Sequence, residues 1–273
     1  GHGSQFVPTN VGTAIEALRA PNVLEQAGIT VLNGLTGDLR IPKVSAGSNI
    51  AEKAEAVAAV TSGMDLDSTL LTPRRATAFT LVTEQLMMQG GPAVESLVVR
   101  DLADATTSFI EKQCFIDILD GIAAASNNIE DAFDTTGAEM LALESAAIQA
   151  GVNPAVIRII ANSFAHEKLA AQSEVGSVTT VMDRVARTVL GYPYQVSGNA
   201  PHDATASNEY GGGVAILGDF ARGAVLGYFG GVDVVVNPYT FHLNNQVRIS
   251  IHRHFDCDTL QAGALHARYE VGA

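Results

Sequence analysis

The densest set of chemistry-bearing side chains lies near the C-terminus: His252, His254, Asp256 and Cys257, with His242 upstream. Side chains alternate along a strand, so His252, His254 and Asp256 would share one face, as metal ligands can. A tetrahedral site draws on ligands that wrap around the ion, which a straight ladder does not do. The ladder therefore reads first as surface or interface histidines. The carboxylate pairs Asp65/Asp67, Glu130/Asp131 and Asp256/Asp258 have the right type for acid–base work. Nothing beside them separates them from solvated loop charges. Cys114 stands two positions before Ile116 in an apolar helical pattern and reads as buried and inert. There is no Gly-x-Ser-x-Gly elbow and no phosphate loop. Gly211-Gly212-Gly213 lacks the lysine and the following helix, and reads as a flexible loop. No motif supports an enzyme, and no catalytic, cofactor-binding or metal-ligating residue is assigned.

The elements that must carry these residues form an α+β pattern without regular βαβ alternation. Residues 5–38 read as an irregular arm, interrupted by Pro8, Gly12, Pro21, Gly28, Gly34 and Gly37. A turn or two of helix fits Thr13–Arg19, and a short strand fits Ile29–Leu32. Residues 39–83 read as a long hairpin. Leu39–Val44 is one arm, and Thr69–Arg75 with Thr77–Thr83 is the return. The excursion Ser45–Asp67 between them is too long for a compact domain and must pack on something outside its own core. Pro92 opens a helix whose apolar face includes Val94, Val98, Leu102, Ala105, Phe109, Ile116 and Leu119, with a stop expected at Asp120-Gly121. At about 1.5 Å per residue that helix is roughly 43 Å long. Further helices are expected at 136–150 and Ser163–Ala171. Strands are expected at Val156–Ile160, Val214–Leu217, Val225–Tyr228, Val232–Val236, Val247–His254 and Ala264–Tyr269. Val178–Leu190 is ambiguous, Gly191–Val196 reads as a turn into a strand, and His202–Gly213 reads as loop.

Composition narrows the functional classes. Of the 273 residues, 47% are hydrophobic and 16% charged, against about 25% charged in average soluble proteins. The charges are one-sided, with a net −13. Disorder is excluded, since it needs few hydrophobics and much charge. No run reaches the ~20 apolar residues of a membrane helix. A basic nucleic-acid binder is disfavoured, because Lys and Arg dominate phosphate contacts. Two cysteines, Cys114 and Cys257, suit a reduced, cytosolic chain rather than a disulfide framework. Sparse charge also suggests a surface covered by other subunits. The acids concentrate: Glu95, Asp101, Asp104, Glu111, Asp117, Asp120, Glu130, Asp131, Asp134, Glu139 and Glu144 face only Arg100 and Lys112 in that stretch. The bland reading is the wet face of helices; the functional one is a surface kept negative toward a neighbour.

The order of parts resembles the major capsid proteins of tailed bacteriophages, the Hong Kong 97-type capsid fold. Leu71-Thr72-Pro73-Arg74-Arg75-Ala76-Thr77-Ala78-Phe79-Thr80 with Glu84-Gln85-Leu86 is similar to the family's return strand. Val94–Ala103 resembles the start of its spine helix. Leu190-Gly191-Tyr192-Pro193-Tyr194-Gln195-Val196-Ser197 is similar to a family turn. Gly218-Asp219-Phe220 with Gly223, and Val232–His254 with Asn237-Pro238-Tyr239-Thr240, resemble later segments. The likeness runs from about Leu39 to Val271.

By this resemblance, residues 1–38 form an N-terminal arm and 39–83 an extended β-hairpin loop over a neighbour. Residues 84–120 and 232–273 form a peripheral domain with spine helix 92–120, and 121–231 form an axial domain. It implies a structural major capsid protein that self-assembles as pentamers and hexamers into an icosahedral shell around packaged double-stranded DNA, without sequence-specific binding. A maturation protease, portal and decoration proteins are the implied partners, and no membrane is involved. The virion is the implied location, after assembly in the bacterial host cytoplasm. The absence of an initial Met fits either processing by such a protease or an expression remnant at Gly1–Ser4. Some branches weld subunits through a Lys–Asn isopeptide bond. Lys53 and Asn245 are the nearest candidates, but Gln246–Phe255 holds no Glu, and His252 stands near the place of the catalytic acid, so non-covalent cohesion is expected. The acidic stretch is expected to help form a non-sticky inner wall. The alternatives are an encapsulin-type compartment shell and, further off, a metal-dependent hydrolase using the histidine ladder.

Overall fold

Early in the chain, short strands alternate with breaks. A computed structural model describes residues 19–47, 50, 52, 63–90, 92–130, 138–171, 181–202 and 210–271. They begin with β1 (Thr30–Leu35), β2 (Leu39–Ala46), β3 (Asp65–Leu71) and β4 (Arg74–Thr83). Two helices follow, α1 (Glu84–Gly90) and α2 (Pro92–Ala124), then β5 (Asn128–Glu130) and α3 (Ala138–Gln149). Next come β6 (Arg158–Ala161), α4 (Ser163–Ala171), β7 (Met182–Asp183), β8 (Thr188–Val189), β9 (Tyr192–Val196) and β10 (Tyr210–Gly218). The last elements are α5 (Phe220–Gly223), β11 (Ala224–Asn237), β12 (Gln246–Thr259) and β13 (Leu265–Val271).

Among the described residues three sheets result: β1-β11-β12-β4, β5-β13-β10-β6-β9-β8-β7, and the pair β2-β3. Helix α2 lies mainly over β12 and β4. Its Ile110, Cys114, Phe115, Ile118 and Ile122 share a core with Phe255 and Cys257 of β12 and with Val214, Ile216 and Tyr269 of the seven-stranded sheet. Nearer the start of α2, Leu102 and Val98 pack on Val82, Ile249 and Ile251. A separate core joins α3 and α4 to the larger sheet through Met140, Leu143, Leu169 and Leu217. On the opposite face of the four-stranded sheet, Leu71, Val225 and Phe229 collect Leu35, Leu39 and Ile41. No helix among the described residues is long and apolar enough to cross a membrane.

Several expectations change. The hairpin is β2–β3, in register from Leu39↔Leu71 to Ala46↔Asp65. Residues 74–83 do not continue its return; they pair with β12, from Arg74↔Phe255 to Thr83↔Gln246. The reason is burial: Ala76 and Val82 lie under α2 while Arg75, Thr77 and Phe79 alternate outward. The long helix does not stop at Gly121. It runs 33 residues to Ala124 and is closed by Ser126 in the left-handed region (φ 57°) with Asn127 N–H donating to the Ile122 carbonyl. Gly211–Gly213 are not a loop but part of β10. The two strands expected at 225–228 and 232–236 are one, β11, with a register shift across Gly230-Gly231. The strand expected from Val156 begins only at Arg158, after a single 3-10 turn at Pro154–Val156. The early strand is present as β1, parallel to β11, and α4 runs from Ser163 to Ala171 as read. Most of the excursion Ser45–Asp67, all of the helical turns expected at Thr13–Arg19 except Arg19 itself, and residues 172–180 lie outside the described residues.

Candidate functional site: a carboxylate framework and uncovered strands

The histidine ladder is divided between separate tasks. His252 Nδ1 lies 3.0 Å from Thr77 Oγ1 across the β12–β4 pair. Asp256 accepts the Thr72 N–H at 2.8 Å and pairs with Arg74 Nε at 2.7 Å. His242 is exposed, with Nδ1 2.7 Å from the Tyr239 carbonyl oxygen. Among the described residues, no group of three or more His, Cys, Asp or Glu is placed to hold a metal ion. Asn245 ends a 3-10 turn in the left-handed conformation, φ 53°, while Lys53 lies outside the described residues. Cys114 and Cys257 are free and buried. The neighbouring Cys114 thiol, with burial, pushes the Cys257 thiol well above its ordinary value.

Of the carboxylate pairs, Asp67 sits 3.7 Å from Lys43 and accepts the Ser68 N–H, while Asp65 is exposed. Asp256 belongs to a junction with Arg74, which also reaches Asp117 of α2 and lies over the Phe255 ring. Burial alone would lower the Arg74 guanidinium, but the two carboxylates overcome it and hold it above its usual range. At Asp117 burial wins: its carboxyl is pushed up despite Arg74. Asp258 is likewise raised by burial. Asp131 lies outside the described residues.

The acidic stretch also turns inward. Glu111, almost fully buried, accepts the N–H groups of Val23 and Leu24 and the side-chain amide of Asn199. Asp101 pairs with Arg19 at 2.7 Å. Asp120 accepts from the Tyr210 hydroxyl, and Glu144 from that of Tyr192. Glu139 meets the buried Arg268 at 2.6 Å. With Asp117, six of the eleven acids tie α2 and α3 to the arm root, to β4 and to the larger sheet. An inner-wall role for the whole stretch does not fit this. Glu111 carried a legible signal: it follows Ile110 and precedes Cys114 and Phe115, inside the apolar stripe.

A cavity of about 800 Å³ separates Pro21 and Val23 from α4, β9 and the β7–β8 turn. In it His166 stacks on Tyr194, whose hydroxyl is pushed up by burial. Its charged neighbours, Glu167, Arg184 and Arg187, do not form a nucleophile–base pair with His166. The exposed feature that stands out is apolar. Val44 and Leu66 on the isolated β2–β3 hairpin are exposed, Leu66 at 70%, as are Phe79 of β4 and Val232–Val236 of β11, apart from the charged Asp233.

The sequence model of the phage capsid family matches residues 3–267. The chain belongs to that family. Its fold is that of solved capsid structures at low identity. One, described as the capsid of an empty GTA particle, has a TM-score of 0.70 at 14% identity, with 99% of this chain and 96% of that chain covered. A structure from Microbacterium phage Oxtober96 gives 0.68 at 12% identity, covering 98% and 97%. One from Mycobacterium phage Bobi gives 0.67 at 12%, covering 99% and 97%. A search of curated protein sequences gives no match.

Proposed function

We propose that the chain is a structural major capsid protein whose copies assemble as pentamers and hexamers into an icosahedral shell around double-stranded DNA. The observation that carries this, beside family membership, is the β2–β3 hairpin. It is a two-stranded sheet of its own and leaves Val44, Leu66 and Leu70 exposed. Leu39, Ile41 and Leu71 anchor its root to the four-stranded sheet, but the outer part has no such support, and an isolated two-stranded ribbon is marginal in water. Laid on a neighbour, its apolar area contributes about 25 cal/mol per Å² buried. The chain's part is therefore mechanical: it holds neighbours, and its site is its surface.

On this reading the N-terminal arm is 1–38 and the extended loop is the β2–β3 hairpin. A peripheral domain is built on α2 and the four-stranded sheet, and an axial domain on the seven-stranded sheet. Cohesion is non-covalent, because β12 offers no Glu beside Asn245. A net charge of −13 suits a container whose contents are enclosed rather than gripped. A maturation protease, a portal and decoration proteins are the expected partners, the virion is the location, and assembly takes place in the host cytoplasm.

Electron microscopy of purified protein tests the reading: closed shells are expected, and a stable monomer under assembly conditions refutes it. Nuclease-protected double-stranded DNA in shells from infected cells separates it from an encapsulin-type compartment, which would hold protein instead.

A further inference from the structure

We propose that the outer edge of β11 at Val232–Asn237 adds, strand to strand and antiparallel, to the same segment of a second copy of this chain. The proposal rests on the shell reading and names one of its contacts. β1 pairs with β11 only from Thr30↔Val225 to Leu35↔Phe229. Beyond the bulge at Gly230-Gly231, residues 232–237 bond to β12 on one side, from Val232↔Arg253 to Asn237↔Arg248. On the other side no strand stands among the described residues. That edge presents a row of backbone donors and acceptors suited to another strand.

The side chains point the same way. Val234 and Val236 pair with Ile251 and Ile249, so they share the face that α2 covers over β12. Ile249 and Ile251 are buried there, but Val232, Val234 and Val236 remain 45–49% exposed, because α2 sits over β12 and β4. Proteins guard such edges with Lys, Pro, bulges or a covering element. Here six residues carry a single charge, Asp233, with no proline before Pro238.

The occupant follows from the spacing, which is self-complementary. A twofold axis normal to the sheet pairs residues that share a face. Centred on Val234, it sets Val232 opposite Val236 of the partner subunit. Centred on Val235, it sets Val234 opposite that residue. In both registers Asp233 meets Val235 or Asn237 of the partner subunit and never its own counterpart, so no like charges oppose each other. Both arrangements join two valine rows into one stripe flanked by two copies of α2. A six-residue strand pair is small beside the 1,200–2,000 Å² of a stable free-standing interface. It therefore acts within an assembly, where other contacts hold the copies together.

Single cysteines at Val234→Cys and Val235→Cys test this in assembled particles. The native Cys114 and Cys257 are buried and leave the background low. Particles are treated with oxidised glutathione, blocked, and run on a non-reducing gel. One of the two variants is expected to give mostly disulfide-linked dimer, and only when assembled. Val185→Cys, at an exposed position in the β7–β8 turn, is expected to stay monomeric. Particles of normal appearance in which neither variant dimerises above the Val185→Cys level overturn the proposal. So does hydrogen exchange showing 232–237 protected on assembly without dimer, since another strand would then occupy the edge. If the unmodified chain forms no particles, the shell reading fails, and this contact with it.

Discussion

Alanine at Gly121 has opposite expected effects in an open helix and in one pressed against a neighbour. In an open stretch of helix interior the glycine would give way to a better helix former, a gain of about 1 kcal/mol. In the structure Gly121 lies inside α2, facing the end of β12. A Cβ there would meet Thr259 Oγ1 at 2.4 Å, Cγ2 at 2.5 Å and Cβ at 3.0 Å. Ordinary carbon contacts are about 3.5–4.0 Å. Thr259 cannot rotate clear, because its Cβ is itself too close and a β-branched side chain has few rotamers. Nor is it free to slide, since its carbonyl accepts the Thr69 hydroxyl at 3.2 Å and the residue is buried. Helix and strand must therefore part. Overpacking of this kind costs about 1–3 kcal/mol, and so short a contact belongs at the upper end. Set against the helix gain, the expected net loss is about 2 kcal/mol.

Urea unfolding of the unassembled chain measures it, by far-ultraviolet circular dichroism and tyrosine emission, as the chain has six Tyr and no Trp. With m of about 2 kcal/mol per M, the midpoint should fall by about 1 M. Thr259→Ala in the same background removes Oγ1 and Cγ2 and should restore about 1 kcal/mol through coupling. An unchanged or raised midpoint for G121A would refute the close approach.

Other consequences can be measured alongside it. Glu111→Ala strips the acceptor from Val23, Leu24 and Asn199, and should cost about 3 kcal/mol with earlier trypsin cutting after Arg19. Asp117 is pushed up by burial. Between the ordinary carboxylate value near ~4 and that raised value, the folded chain holds more protons than the unfolded one, so this group's stabilisation is lost as pH rises. Asp117→Asn should therefore gain on wild type from pH 4 to pH 7 in paired urea midpoints; the opposite trend would show that Arg74 outweighs burial. A thiol reagent should find neither Cys114 nor Cys257 in the native chain and both in urea.

The sequence disclosed most where one local signal ruled. Pro92 and the apolar steps after it announced α2, and Ser163–Ala171 matched α4. It misled where a residue has two physical uses. Glycine serves as a stop, a bulge or a close approach; Gly121 was read as the first and is the third, while Gly230-Gly231 bends one strand instead of separating two. Pairing was hidden for another reason. Thr77–Thr83 alternates as any strand does, and whether its partner is β2 or β12 depends on where α2 lies, more than 120 residues away in sequence from β12.

The inward carboxylates follow from the same shortage of local order. The segment around Pro21–Leu24 is neither helix nor strand, so its backbone N–H groups have no ladder to join. A buried donor without an acceptor costs free energy comparable to a lost hydrogen bond. Glu111 supplies that acceptor from the rigid side of α2, and Asp101 anchors Arg19 just upstream. Asp256 does the same for Thr72 at the turn between β3 and β4. Irregular segments that lack secondary structure are thus held by acids fixed on regular elements. That is why acids gather on α2 without making it a wet helix, and why their number does not measure the charge this surface shows to its neighbours.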